Sequence, residues 1–261
     1  MMSELLRMER HVDMNILNVE LSENAAEQIQ KLCDTFQKPV KYFYDEQDDD
    51  LAGSGGAYYK VTLPSDLDRR TFEANILYEL LHIRQFEVGF PTLCYKDSIL
   101  FDKDVELVEG LGSSIFFGVL DIDVFERMRE CRYIDAVYRF VASIFESLIE
   151  YASHVYGSLD DKYNFAHLVL DLAKILYHAN PELDQAIREA YRGYPAVLEQ
   201  AFKLRDMMHQ NPPDAPDTAV VTMGILIDEL ELWDLFYIKI RDDKVRTKSE
   251  FDEFRENIVG Q

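Results

Sequence analysis

The sequence predicts an α+β protein that is predominantly α-helical, with a small β-sheet in its front half and helices behind. Three observations carry this. Two short β-branched and aromatic runs, VKYFY (40–44) and AYYKVTL (57–63), sit early in the chain. Helical spacing of apolar residues dominates after Pro91. NPPDAPD (211–217), with three prolines in seven residues, marks the clearest linker.

In chain order, SENAAEQIQKLCDTFQ (22–37) reads as an amphipathic helix. Ser22 is placed to cap it, and Ala25, Ile29, Leu32 and Phe36 keep helical spacing. The two strand runs are separated by DEQDDDLAGSGG, an acidic, glycine-rich stretch that reads as an exposed loop. Asp48, Asp49 and Asp50 lack the EF-hand spacing that calcium would need. LPSDLDRRTFEANILYELLHIRQFEVGFP follows. Ser65 with Asp68 resembles a capping box, and Gly89 with Pro91 supplies a stop, so a helix is expected over about 66–87. Further helices are expected near 103–128, 133–156, 160–178, 182–191, 194–210, 217–240 and 248–258. The organisation expected is a front domain over 1–128 and a helical domain over 129–261, or one compact unit.

Composition narrows the function. The chain has 261 residues, 48% of them hydrophobic, enough for a sizeable core. Its 49 acids against 27 bases give a net charge of −22, which opposes direct binding to nucleic acid or to anionic membranes. Three cysteines, Cys33, Cys94 and Cys131, with no C-x-x-C, fit a reducing compartment, and a cytoplasmic location is expected. No stretch is long and apolar enough to read as a membrane span. P-loop, dinucleotide-binding, G-x-S-x-G and Cys–His nucleophile patterns are missing.

The chemistry-bearing stretch is YELLH (78–82). At 100° per residue, Thr71, Asn75, Tyr78, His82 and Gln85 form one polar stripe. Phe72, Ile76, Ile83 and Phe86 form an apolar stripe beside it, and Leu77, Leu80 and Leu81 lie on the far side. Such a helix is expected to be largely buried, so Glu79 and His82 need partners. In H-E-x-x-H, histidines at i and i+4 grip one zinc ion while the intervening Glu acts as general base. Downstream, ELVEGLGSSIFFG places Glu106 and Glu109 at 24 and 27 residues after His82, followed by small residues suited to close helix packing.

Over about residues 22–120 this arrangement resembles the ImmA/IrrE family of gluzincin-type metallo-endopeptidases. The resemblance implies a general-base role for Glu79 and metal-ligand roles for His82 and Glu109, with Glu106 in reserve. Tyr78 stands where the family has its first histidine. A neutral tyrosine is a poor zinc ligand, so the resemblance implies a degenerate motif with zinc weakly bound or absent.

Other constellations compete. Glu79 and His82 also read as E-x-x-H, one half of a di-iron motif; Asp206 and His209 are only an approximate second half. Glu146, Glu150 and His154 fall at i, i+4 and i+8 of one helix and are the best source of a replacement ligand. ILIDELELWDLFYIKI (225–240) carries the only tryptophan, Trp233, and reads as a core or interface helix. Three functions are weighed: a disarmed metallopeptidase-like protein that binds a protein or peptide partner in a regulatory role, an active metallopeptidase with an unusual ligand set, and a helical interaction protein without peptidase ancestry. A homo-oligomer is compatible with each.

Overall fold

The computed structural model describes residues 15–44, 57–96, 105–152, 159 and 161–259. The protein is a predominantly helical α+β fold whose described elements are nine helices and seven short strands. It divides into two compact units. The first comprises residues 1–87 with a return at 130–133, and the second comprises 88–129 and 134–261. Among the described residues, no helix is long and apolar enough to cross a membrane.

The first unit opens with a hairpin of β1 (Asn15–Ile16) and β2 (Val19–Glu20). Leu17 and Asn18 both take positive φ (50° and 66°), the conformation a two-residue type I′ turn requires. Helix α1 (Glu23–Cys33) starts as the sequence implies, with the Ala25 amide donating to Ser22 Oγ at 3.3 Å. Ala25, Ala26 and Ile29 are buried. The strands β3 (Val40–Tyr44) and β4 (Tyr59–Leu63) pair in parallel, Val40 opposite Tyr59 through Tyr44 opposite Leu63. A parallel pair needs a crossover connection. The acidic loop expected there falls at 45–56, outside the described residues.

Helix α2 (Arg69–Val88) begins later than the sequence reading placed it. Its cap is Asp68, not Ser65: one carboxylate oxygen accepts from the amides of Arg70 (3.0 Å) and Thr71 (3.1 Å), and the other from the Thr71 hydroxyl (2.6 Å). Its end matches the expected glycine stop, Gly89 at φ 84°. Phe72, Ile76, Leu77, Leu80 and Leu81 are buried, but Phe86, assigned to the apolar stripe, is 66% exposed.

The second unit holds β5 (Thr92–Tyr95), α3 (Val105–Glu130, of which Glu130 belongs to the first unit), α4 (Ile134–Ala152), α5 (Lys162–His178), α6 (Pro181–Ala190), α7 (Pro195–Gln210), α8 (Pro216–Glu229), β6 (Phe236–Ile240), β7 (Asp243–Val245) and α9 (Lys248–Val259). The single helix expected over 217–240 is overturned. It stops at Glu229 in a Schellman motif: the Leu232 amide donates to the Ile227 carbonyl at 2.8 Å, and that of Glu231 to Asp228 at 3.0 Å. Glu231 takes the left-handed φ of 54° that glycine usually supplies, so the sequence carries no glycine to announce the stop. The segment beyond it, FYIKI, becomes β6, the centre of an antiparallel β5–β6–β7 sheet. Phe236, Ile238 and Ile240 face the core. A capping box opens α9: the Glu250 amide donates to Thr247 Oγ1 at 3.2 Å, and the Glu250 carboxylate accepts from the Thr247 amide at 3.2 Å.

Candidate functional site

The residues singled out by YELLH lie midway along α2. Tyr78 and His82, one turn apart, meet edge to face with ring centroids 4.6 Å apart. His82 Nδ1 lies 3.1 Å from Gln85 Oε1, three residues on, so the glutamine carbonyl accepts from the imidazole. Gln85 is buried; Tyr78, Glu79 and His82 are half-buried. The polar stripe therefore exists as the helical spacing implies, with His82 in contact with both Tyr78 and Gln85. The sequence leaves the partner of His82 open between a metal, a cation and a neighbouring hydrogen-bonding group; the structure places Gln85 of the same helix at its Nδ1.

Two carboxylates that the sequence reading passed over fix this helix at its ends. Glu73, 2% exposed, accepts from the Ser22 amide (2.5 Å), the Tyr133 hydroxyl (2.7 Å) and Arg69 Nε (3.2 Å). It thereby ties the start of α2 to the start of α1 and to the 130–133 return. Burial pulls its pKa up, but the hydrogen bonds from Ser22, Tyr133 and Arg69 outweigh burial and hold it below the usual carboxylate value. Tyr133 is in turn pushed up to about 12, by burial first and by Glu73 second. Near the other end Glu87 accepts from Tyr59 Oη (2.5 Å) and from the Gln37 amide (2.7 Å). Burial and Glu87 together push Tyr59 to about 12. One signal for Glu73 was available: it lies with Leu77 and Leu80 on the far apolar side of the wheel, where a carboxylate must be paired.

The remaining candidates belong to the second unit. Glu106 and Glu109 lie on α3 and are exposed. The small residues after them do permit close approach. A Cβ at Gly110 would stand 2.7 Å from His167 Cε1, and one at Gly112 would stand 2.7 Å from the Tyr95 hydroxyl. Beside them Ser114 Oγ donates to Asp171 Oδ1 at 2.6 Å, with His167 Nε2 3.5 Å from Asp171 Oδ2. Burial drives the Asp171 pKa up against the pull of His167, Ser114 and Lys174. Further along the same helix pair, Lys174 Nζ meets the fully buried Asp121 at 2.5 Å. These contacts give α3 and α5 a polar seam that no short motif announces.

Glu146 is exposed on α4, while His154 and the Glu150 side chain fall outside the described residues. Asp206 is paired with Arg205 (2.6 Å), and His209 stacks on Tyr177 at 4.0 Å and 17°. Both line a shallow hollow of about 490 Å³ with Asp184 and Asn180. They do not form a second E-x-x-H of the di-iron kind.

Within α2 the YELLH stretch offers one imidazole, His82, and one carboxylate, Glu79, against the three protein ligands a catalytic zinc ordinarily keeps. The Gln85 contact further commits one nitrogen of that imidazole. Among the described residues, no group of three or more His, Cys, Asp or Glu side chains is placed to hold a metal ion. No family model matches the chain, and no curated protein or solved structure matches it either.

Proposed function

We propose that this chain is a metallopeptidase-like protein that has lost its catalytic ligand set and works by binding a protein or peptide partner. The observation that carries this reading is the Tyr78–His82–Gln85 stripe. The position that should supply the first histidine carries a phenol ring packed at right angles to the His82 ring, and the next polar residue engages His82 Nδ1. Glu79 remains in place but has no metal-bound water to act upon in such an arrangement. The short strands before α2 and the acid-bearing helix after it support the same ancestry.

Zinc titration of the wild-type chain and of Tyr78→His tests the reading. The wild type is expected to bind zinc at well below one equivalent, and Tyr78→His, which restores both histidines of the motif, to gain at least tenfold in affinity. Tight stoichiometric zinc in the wild type, with chelator-sensitive peptide cleavage abolished by Glu79→Gln, overturns the loss of function. Equal zinc binding by both proteins removes the metallopeptidase ancestry.

A further inference from the structure

The antiparallel sheet of the second unit has one face in the core, and on the other Lys239 and Lys244 are exposed and Tyr237 half-buried. Phe236, Ile238, Ile240 and Val245 are buried on the inner side. On the outer side Tyr237 and Lys239 of β6 alternate with them, and Lys244 of β7 joins them. In register, Lys239 stands directly opposite Lys244, with Thr92 opposite Lys239 on the other flank. Like charges facing each other across strands are destabilising. Arg241, in the connecting turn, and Arg246, just after β7, add two further exposed cations.

Among the described residues none of these four side chains is ion-paired with a carboxylate, whereas nearby Lys248 is paired with Asp228. The pattern stands out in a chain of net charge −22, where acids outnumber bases nearly two to one. Lys244 Nζ lies 5.7 Å from the centre of the Tyr237 ring, so the face combines cationic heads with an aromatic floor.

We propose that this outer face docks an acidic segment of a partner protein, whose carboxylates neutralise Lys239 and Lys244 while its chain lies over Tyr237. A short acidic segment carries only a few charges and feels mainly the local field, within a Debye length of about 8–10 Å. A nucleic acid is the weaker fit: it needs many phosphate contacts and meets the repulsion of the whole acidic chain. The inference rests on residues of the second unit alone, so the zinc experiment on α2 has no bearing on it.

Fluorescence anisotropy of the full chain with a labelled Glu–Ala repeat decapeptide at low salt is the test. The wild type is expected to bind, with affinity falling as salt rises. Lys244→Glu is expected to weaken binding at least tenfold while leaving the melting temperature unchanged or higher, because it places a carboxylate opposite Lys239. The Lys239→Gln/Lys244→Gln pair, which removes charge without reversing it, is expected to weaken binding with the fold intact by circular dichroism. Absence of binding by the wild type, undiminished binding by both variants, tighter binding of a charge-matched oligothymidylate, or self-association that excludes the peptide would each overturn the proposal.

Discussion

The Tyr133 hydroxyl donates to the Glu73 carboxylate at 2.7 Å, sixty residues apart in sequence and both buried. With the Ser22 amide on the other carboxylate oxygen, this contact makes Glu73 the tie between α1, α2 and the 130–133 return. Glu73→Ala leaves a buried hydroxyl and a helix-start amide without their acceptor. It is expected to destabilise the first unit by roughly 3 kcal/mol, and Glu73→Gln, which keeps an acceptor, by about 1 kcal/mol. Because the folded-state pKa of Glu73 is depressed, its contribution is present above the unfolded value of 4.5 and is lost as pH falls through the folded value. Urea unfolding followed by far-UV circular dichroism measures this; the only tryptophan, Trp233, lies in the second unit and reports on that unit instead.

His178 gives the second unit a pH dependence of its own. It is 2% exposed, its Nδ1 lies 3.3 Å from Arg129 Nη2, and its buried Nε2 has no hydrogen-bond partner among the described residues. Burial, then Arg129, pushes its pKa down to about 3, with Lys174 and His209 acting in the same direction and Asp121 against. The folded state holds the neutral ring and the unfolded chain does not, so stability is full above pH 6.5 and declines as pH falls toward 3. The slope approaches about 1.4 kcal/mol per pH unit. Trp233 fluorescence during urea unfolding between pH 7 and 4 is expected to show it in the wild type and a clearly flatter profile in His178→Gln.

The buried pair Asp121 and Lys174 behaves differently when one partner is removed than when both are. Asp121 is fully buried and Lys174 only 12% exposed. Lys174→Met strands a buried carboxylate and is expected to cost about 3–5 kcal/mol, whereas Asp121→Leu with Lys174→Met is expected to be as stable as wild type or more so. Thermal unfolding of the two variants decides. A double variant as weak as Lys174→Met would mean that Asp121 is needed for its other contacts rather than for the lysine.

Local chemistry that ends or starts an element with its usual residue was legible in the sequence: the Ser22 cap, the Gly89 stop, the strands at VKYFY and YKVTL, and the helices from α3 to α7. The long helix over 217–240 was not, because Glu231 takes the left-handed position that glycine would have flagged. The β5–β6–β7 sheet was hidden for a related reason: its strands are distant in sequence, and FYIKI follows a helix without a proline or glycine between. At the candidate site, spacing placed Tyr78, His82 and Gln85 on one stripe. That Gln85 is the residue engaging His82, and that Glu73 is the buried carboxylate, are matters of tertiary packing and rotamer that periodicity does not encode.

Packing at α8 and α9 permits a sharper test. Gly224 is buried in α8, and a Cβ built there would stand 2.2 Å from Phe251 Cε2 and 2.4 Å from Cδ2. Phe251, 2% exposed, also lies against Trp233, ring centroids 5.7 Å apart. In an exposed helix, Gly→Ala gains about 1 kcal/mol from propensity. Here overpacking is expected to outweigh that gain, leaving Gly224→Ala less stable by about 1–2 kcal/mol. Phe251→Leu alone is expected to lose stability through its smaller side chain. Combined, the two changes should be less harmful than their sum, since the shorter side chain makes room for the added methyl. A double-mutant cycle by urea denaturation gives the coupling directly. Strict additivity would show that α8 and α9 separate at this point to accept the methyl without help from residue 251.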